Sequence, residues 1–378
     1  MHVLIAVDSF KGSLSSLKAG EAITLGIKRV FPEATTEILP MADGGEGTVE
    51  AIVGAGKGEL LNATVTSPLG GKVEAHFGRL PNGTVVLEMA AASGLPLVPK
   101  DQRNPLITTT LGTGELIRAA LDLNPPEILI GIGGSATNDG GAGMAQALGV
   151  RLLDQEGKEL GPGGGALAQL HKIDLSGLDP RLAKTKITVM CDVDNPLCGP
   201  RGASAVYGPQ KGATPEMVQT LDRNLNHFAQ KIHEHLGLDL KDVPGAGAAG
   251  GLGMGLMAFT GARLKAGVEA VLDTVNFNAM VEKADIVITG EGRIDGQSVF
   301  GKVPMGIARR AVQYQKPVLA IVGSIGPGAE EMYKHGLVSI IPIVNGPMTL
   351  EEAMNNAFAL TVEAAERCFR LLKLNIPN

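Results

Sequence analysis

The segment HVLIAVDSFKGSLSSLKAGEAITLGIKRVFP, residues 2–32, decides the fold of the first part of the chain. Its opening run, HVLIAVDSF, is short, apolar and rich in β-branched residues, which is typical of a buried strand. The residues after it repeat apolar side chains at helical spacing, at Leu17, Ile23, Ile27 and Val30. The segment therefore predicts a strand, a loop and a helix, the repeating unit of a parallel α/β sheet.

The same pattern returns at both ends of the chain. TTEILPMADGG at 35–45 leads into the helical GTVEAIVGAG, and the apolar runs ADIVITG, KPVLAIVG and VSIIPIV alternate with helical segments after residue 283. These repeats predict that the two ends complete one parallel sheet. Each polar loop that follows a strand would then lie at the carboxyl edge of the sheet, where open α/β sheets bind ligands.

The middle of the chain has a different pattern. Residues 59–100 alternate apolar and polar side chains around turns at 68–71 and 81–83, which predicts an antiparallel meander. Further on, Thr214 and Gly237 bracket a strongly amphipathic segment and predict a long helix with a threonine N-cap.

The fold class we predict is α/β. A Rossmann-like parallel-sheet domain is expected at 1–60 and 284–378, formed by both chain ends. An inserted second α/β domain with antiparallel or mixed strands is expected at 61–283, and the active site is expected in the cleft between the two domains. The length of 378 residues agrees with two domains, because a single core usually stops growing at about 250–300 residues.

Composition excludes several classes of function. The net charge of −6 and the pI near 5.7 predict neither nucleic-acid binding nor attraction to an anionic membrane. Three cysteines are too few for a disulfide framework, which favours a reducing cytoplasm. Charged residues or glycines interrupt every apolar stretch, so we expect neither an export signal nor a membrane span.

Five strand-to-loop junctions carry polar groups, and each contains a carboxylate. They are DSFKGS, ADGGEGT, GGSATNDGG, CDVDNP and GEGRIDGQS, beginning at residues 8, 42, 133, 191 and 290. One such loop alone is usually just a turn, because Asp and Gly are turn formers. Five together favour a polyanion held by Mg²⁺, with glycine amides near phosphate oxygens and a lysine or arginine as counter-charge.

Two other motifs leave alternatives open. GAGAAG at 245–250 has the spacing of a dinucleotide fingerprint, but no strand precedes it, so a close-packed glycine helix is the favoured interpretation. GPRGASAVYGPQKGAT contains Arg201 and Lys211 and could be an anion site or simply a basic turn.

The motifs DSFKGSLS, PMADGGEGT, GIGGSATNDGGAG, CDVDNPLCGPRGAS, YGPQKGA and GEGRIDGQSVFGKVP stand in the order seen in the bacterial glycerate kinase type 1 family. The chain resembles this family from residue 1 to about residue 370. The resemblance implies ATP-dependent phosphorylation of D-glycerate, most often at the 2-hydroxyl, with Mg²⁺. Phosphorylation at the 3-hydroxyl, an NAD-linked hydroxy-acid oxidoreductase and a noncatalytic binding protein are the alternatives. The sequence indicates no oligomeric state.

Residue chemistry within these motifs assigns candidate roles. Lys11 and Arg293 are expected to bind a carboxylate or phosphate. Asp192 is the first candidate for the general base and Asp295 the second. The candidate metal ligands are Asp43, Glu46 and Asp194. The candidate phosphate cradle for ATP consists of Gly133, Gly134, Ser135, Thr137 and Asn138.

Overall fold

We analysed a computed structural model of the chain, which describes residues 1–42, 44–45, 47–299 and 302–375. The chain divides into two compact units. The first consists of Met1–Asp43, Glu50–Gly56 and Gly267–Asn378, and the second of Gly44–Val49 and Lys57–Ala266. Residues 267–283, which the sequence places in the inserted domain, thus belong to the first unit. The domain ranges given above stay a prediction.

The strands, in chain order, are β1 His2–Val7, β2 Thr35–Pro40, β3 Glu59–Thr66, β4 Lys72–Arg79, β5 Val85–Glu88, β6 Glu127–Gly131, β7 Arg151–Leu153, β8 Lys172–Asp174, β9 Lys186–Met190, β10 Arg263–Lys265, β11 Ile286–Gly290, β12 Arg293–Ile294, β13 Val318–Val322, β14 Ser324–Ile325 and β15 Leu337–Pro342. The α-helices are α1 Ser16–Val30, α2 Thr48–Gly56, α3 Ala90–Ser93, α4 Leu111–Leu121, α5 Ala142–Ala147, α6 Ala203–Tyr207, α7 Pro215–Leu236, α8 Ala248–Thr260, α9 Gly267–Thr274, α10 Phe277–Lys283, α11 Val303–Gln313, α12 Leu350–Asn355 and α13 Ala357–Leu372. Short 3₁₀ helices occupy Leu95–Leu97, Lys100–Gln102, Ala166–Gln169, Pro180–Lys184, Pro209–Lys211, Ala329–His335 and Lys373–Asn375.

The first unit is built on a parallel sheet with the strand order β15-β13-β11-β1-β2. β1 is a central strand and pairs in parallel with β11 and β2. Val3, Ile5 and Val7 pack in one core with residues of α1 and α13, whereas α10 and α11 also contact β1. Because β1, β11 and β13 are buried on both faces, these inner strands are nearly continuous apolar runs. The Rossmann-like sheet predicted from both chain ends is confirmed.

The second unit contains a mixed sheet with the strand order β10-β9-β6-β5-β4-β3. β3, β4 and β5 form the antiparallel meander that the alternating pattern predicts, with Gly70 and Gly83 at positive φ in its two turns. β5, β6, β9 and β10 are parallel neighbours. The predicted α/β class, with an inserted unit that has mixed strands, is therefore confirmed.

The long helix predicted after Thr214 is α7. Thr214 Oγ1 accepts a hydrogen bond from the Met217 backbone N–H at 3.3 Å, and Gly237 ends the helix at a φ of 73°. Leu225 and Phe228 are fully buried on its apolar face and join the core of the second unit. An N-cap, an apolar stripe and a C-terminal glycine thus define this helix locally.

The glycines of GAGAAG serve close packing. A Cβ at Gly250 would lie 2.0 Å from the carbonyl oxygen of Thr137, and one at Gly255, which follows the motif on α8, would lie 2.4 Å from the carbonyl oxygen of Gly140. Side chains here would therefore displace the loop after β6. This packing supports the close-packed glycine interpretation, since the backbone of that loop lies directly against Gly250.

Among the helices of the described residues, none has both the length and the apolar character needed to cross a bilayer.

Candidate active site

A pocket of about 670 Å³ lies in the first unit at the carboxyl ends of its parallel strands. Its polar lining residues are Asp8, Ser9, Lys11, Ser13, Glu291, Arg293, Lys302, Ser324 and Thr349. Asp8 follows β1 and Glu291 follows β11, the strands between which the sheet order reverses direction. Ligands of open α/β sheets bind at such a switch point, because the two following loops diverge there and leave a crevice.

The carboxylate of Glu291 organises one side of this pocket. Its side chain is nearly buried, accepts a hydrogen bond from Ser298 Oγ at 2.6 Å and lies 3.3 Å from Lys302 Nζ. Burial raises the pKa of Glu291, although Ser298 and Lys302 act in the opposite direction. Glu291 therefore fixes the position of the Lys302 ammonium at the pocket wall.

Arg293 and Asp295 form an adjacent pair. Arg293 Nε lies 3.4 Å from Asp295 Oδ2, and the guanidinium side chain is 63% exposed. Asp295 Oδ1 also accepts the backbone N–H of Gln297 at 3.0 Å. The structure thus brings Lys11 and Arg293, two of the predicted binding residues, into the lining of one pocket, and places Asp295 beside the arginine.

The glycine-rich loop after β6 belongs to the second unit. Gly133 and Gly134 are exposed, whereas Thr137 and Asn138 are fully buried. Asn138 Nδ2 donates to Ser204 Oγ at 3.2 Å, which ties the loop to α6. The side chain of Asn138 therefore holds the loop from within, and the backbone of the two glycines faces solvent.

Lys211 lies beneath this loop with an exposed fraction of 1%. Its Nζ donates to the Thr137 carbonyl oxygen at 2.7 Å and lies 2.7 Å from Ser135 Oγ. Burial lowers the pKa of Lys211 to about 7, and the charge of Asp139 opposes that shift. The segment GPRGASAVYGPQKGAT was expected to be either an anion site or a basic turn. Lys211 is a buried amine and not part of an exposed basic turn.

Asp139 closes the loop from the other side. One carboxylate oxygen accepts hydrogen bonds from the backbone N–H and the hydroxyl of Thr110, and the other accepts from the Gly141 N–H at 3.1 Å. Burial raises the pKa of Asp139, while these donors favour its charged form. Both oxygens of this carboxylate therefore accept hydrogen bonds from the chain itself. Through Thr110 they link the loop to the start of α4.

Gly44 and Gly45 of ADGGEGT lie against the end of β6 and the loop after it. A Cβ at Gly131 would be 2.7 Å from the Gly44 carbonyl oxygen, and one at Gly133 would be 3.1 Å from Gly45 Cα. The buried Glu88 accepts the Val49 N–H at 2.9 Å, at the start of α2. These glycines therefore permit close approach of one backbone to another. Asp43 and Glu46, two candidate metal ligands, lie outside the described residues.

The loop after β9 carries Asp192 and Asp194, and both are exposed. Asp194 lies 2.9 Å from an Arg201 guanidinium nitrogen. Met190 of β9 pairs with Gly131 of β6, so Asp192 and Gly133 each follow neighbouring parallel strands by two residues. The exposed carboxylate and the exposed glycine backbone are thus placed at the same edge of the mixed sheet.

Within the described residues, no group of three or more His, Cys, Asp or Glu side chains is arranged to hold a metal ion. Mg²⁺ bound with a nucleotide commonly needs only one or two protein carboxylates beside phosphate oxygens and water. The exposed oxygens of Asp192 and Asp194 supply that kind of donor. These described residues therefore fit a nucleotide-bound Mg²⁺.

Comparison with known proteins gives the family. A model described as the glycerate kinase family matches residues 3–373. The chain belongs to the glycerate kinase family. It is 57% identical over 358 residues to the glycerate kinase of Bacillus subtilis (strain 168), covering 94% of each chain. It is 50% identical over 379 residues to the glycerate 2-kinase of Escherichia coli (strain K12), covering 100% of each.

A crystal structure described as a glycerate kinase 2 from Salmonella typhimurium LT2 shares the fold. The TM-score is 0.89 at 50% identity, and the match covers 99% of this chain and 98% of that chain. The family resemblance inferred from the motifs is confirmed, and with it the kinase class.

Sequence reasoning missed three residues of this glycerate kinase family member. Lys302 lines the pocket, and its signal was a lysine directly before the Val-Pro start of α11 in FGKVP. Lys211 was noticed but received no role. Glu88 ends the short strand β5 and gave no signal, because a single Glu after an apolar run is common at strand ends.

Proposed function

We propose that this chain transfers the terminal phosphoryl group of ATP to the 2-hydroxyl of D-glycerate. The observation that carries the proposal is its full-length, 50% identity to a glycerate 2-kinase. The groups at the carboxyl edges of the parallel strands support it in each unit: the first unit offers cations, and the second offers exposed glycine backbone and exposed carboxylates.

Asp192 is the proposed general base. As the 2-hydroxyl oxygen of glycerate forms its bond to the γ-phosphorus, the hydroxyl proton passes to the Asp192 carboxylate and the bond to the ADP oxygen breaks. The exposed backbone of Gly133 and Gly134 is proposed to bind the phosphoryl group during its transfer. Ser135, Thr137 and Asn138 are proposed to shape that loop. Asp295, paired with Arg293, stays the second candidate for the base.

Mg²⁺, when bound with the nucleotide, would neutralise charge on the phosphates. Asp194 is the described residue proposed to hold it, and Asp43 and Glu46 stay candidates from the sequence. Lys11 and Arg293 are proposed to bind a carboxylate or phosphate as fixed positive charges.

The base assignment has a direct test. Asp192→Asn keeps the shape of the side chain and removes the proton acceptor, so kcat should fall by about 10²- to 10⁴-fold with ATP, Mg²⁺ and D-glycerate. Asp239→Asn, an exposed substitution in the same unit, is the matched control and should leave kcat unchanged. Near-normal turnover of Asp192→Asn would remove this residue from the role.

The position of phosphorylation is read from the product. Phosphorus NMR of the reaction mixture should show the proton coupling of a phosphate on a secondary carbon, as in 2-phospho-D-glycerate. Coupling to a CH₂ group would instead identify the 3-hydroxyl as the acceptor. An absence of ADP release with D-glycerate would reject the kinase proposal itself.

A further inference from the structure

The lining of the pocket in the first unit is of two chemical kinds. Its charged side chains are the cations Lys11, Arg293 and Lys302 together with the carboxylates of Asp8 and Glu291. Its apolar lining comes mostly from the segment after β15 and from α12, and includes Ile343, Val344, Met348, Leu350 and Met354. A ligand that uses both the cations and the apolar lining must have an anionic part and an apolar part.

The apolar lining includes surface that the chain itself leaves uncovered. Leu350 is 76% exposed and Val344 is 36% exposed, although both line the pocket. Covering apolar surface contributes roughly 25 cal/mol per Å² to binding, so these side chains favour a ligand with its own apolar faces. D-Glycerate has none, because each of its three carbons carries oxygen.

The volume of the pocket leads to the same choice. At about 670 Å³ it lies within the range of roughly 300–1,000 Å³ that accommodates ligands much larger than a three-carbon acid. Of the two substrates of a glycerate kinase, ATP combines a flat base with apolar faces and a polyanionic tail. The pocket lining offers both apolar side chains and cations to such a ligand.

We propose that this pocket binds the adenine nucleotide, with the base against Val344, Met348 and Leu350 and the phosphates toward Lys11, Arg293 and Lys302. This inference rests on the proposed function and deepens it, since it assigns the nucleoside to the switch point of the parallel sheet. It also selects phosphate over carboxylate for Lys11 and Arg293. Glu291 is then a positioning residue, which holds the Lys302 ammonium at the phosphate end.

The apolar lining is tested with Leu350→Glu. The side chain is exposed, so the variant should fold, and a carboxylate there would repel a base with apolar faces. We expect the affinity for ADP, measured by calorimetry without turnover, to fall about tenfold, and KM for ATP to rise in parallel while KM for D-glycerate stays within about twofold. Leu25→Glu is the matched control, an exposed leucine on α1 of the same unit, and should change neither constant.

The phosphate end is tested with Arg293→Met, which removes a largely exposed charge. The affinity for ADP should fall severalfold, whereas the affinity for adenosine should not change, because adenosine carries no phosphate. Equal losses for both ligands would overturn the proposed orientation.

The outcomes separate this inference from the proposed function. If Leu350→Glu weakens ADP binding, the nucleotide pocket is supported even when D-glycerate is not phosphorylated. If the protein phosphorylates D-glycerate but Leu350→Glu leaves the affinity for ADP unchanged, the pocket assignment is overturned and the proposed function stands. An increase of KM for D-glycerate alone would assign the pocket to the acid instead.

Discussion

The substitution Lys211→Met tests whether the amine beneath the glycine-rich loop is buried away from water. Methionine keeps the length and much of the volume of the side chain, but it removes the amine that contacts Ser135 Oγ and the Thr137 carbonyl oxygen. Losing the donor to Thr137 should cost about 1–3 kcal/mol at every pH. The diagnostic effect is therefore the pH dependence of the difference between wild type and variant.

Its magnitude follows from the pKa of Lys211 in the folded and unfolded chain. Burial lowers this pKa to about 7 in the fold, against 10.5 for an ordinary lysine. Between these values the unfolded chain binds the proton and the folded chain does not, so stability rises with pH. From about pH 6 to pH 9, the unfolding free energy of the wild type should increase by about 2.5 kcal/mol relative to Lys211→Met.

Urea unfolding followed by far-UV circular dichroism at several pH values measures this difference. Lys184→Met, which removes an exposed lysine of the same unit, is the control and should show no such pH-dependent difference. Carbon NMR of ε-¹³C-lysine protein gives a direct check, since the resonance missing from Lys211→Met should titrate near pH 7 in the wild type. A midpoint near 10.5, or a pH-independent difference in unfolding free energy, would refute the reasoning.

Three further substitutions test the packing and the buried carboxylates. Asp139→Asn replaces one carboxylate oxygen by an NH₂ group that cannot accept the N–H donors around it, and should lower the unfolding free energy in urea by about 3 kcal/mol. A loss under about 1 kcal/mol would contradict the role of Asp139 in holding the loop. Gly250→Ala places a Cβ against the loop after β6 at a φ of 71° and should cost about 3 kcal/mol or more, whereas Gly161→Ala, with open space around it, should cost less than about 1 kcal/mol. The pKa of Glu291 is raised in the fold, so folding takes up a proton above pH 4.5 and the wild type loses stability as the pH rises through that range. Glu291→Gln should not show this loss. Identical dependence of the unfolding free energy on pH in the two proteins would contradict the reasoning.

The sequence predicted the fold well where local pattern and burial agree. β1 and α1 form as the segment 2–32 indicates, because a strand covered on both faces is apolar throughout and a surface helix is apolar on one stripe. The extent of the second unit was harder to predict. α9 and α10 resemble any other helix in sequence, and only their packing assigns them to the first unit.

The candidate site was predicted as a set of loops, but not as a set of side-chain environments. Thr137 and Asn138 were predicted to be phosphate ligands because they lie in a glycine-rich loop, yet both side chains are buried. Lys211 is distant in sequence from Ser135, and no local pattern indicates that its amine reaches the loop. Burial of a polar residue depends on tertiary packing, so residue type and spacing do not report it.

The abundance of carboxylates in these loops also has a physical explanation in the fold. Glu88, Asp139 and Glu291 all follow or end parallel strands, and each is nearly buried with donors of the chain bound to its oxygens. A carboxylate that accepts N–H or O–H groups inside the protein orients the neighbouring loop, and its charge is partly compensated there. The acidic loops thus contain two populations. The buried carboxylates fix the glycine backbone and the cations in place, whereas Asp192 and Asp194 are exposed and are the ones proposed to meet the substrate hydroxyl and Mg²⁺. The Asp192→Asn and Asp139→Asn variants should therefore separate cleanly, the first losing turnover with stability kept and the second losing stability.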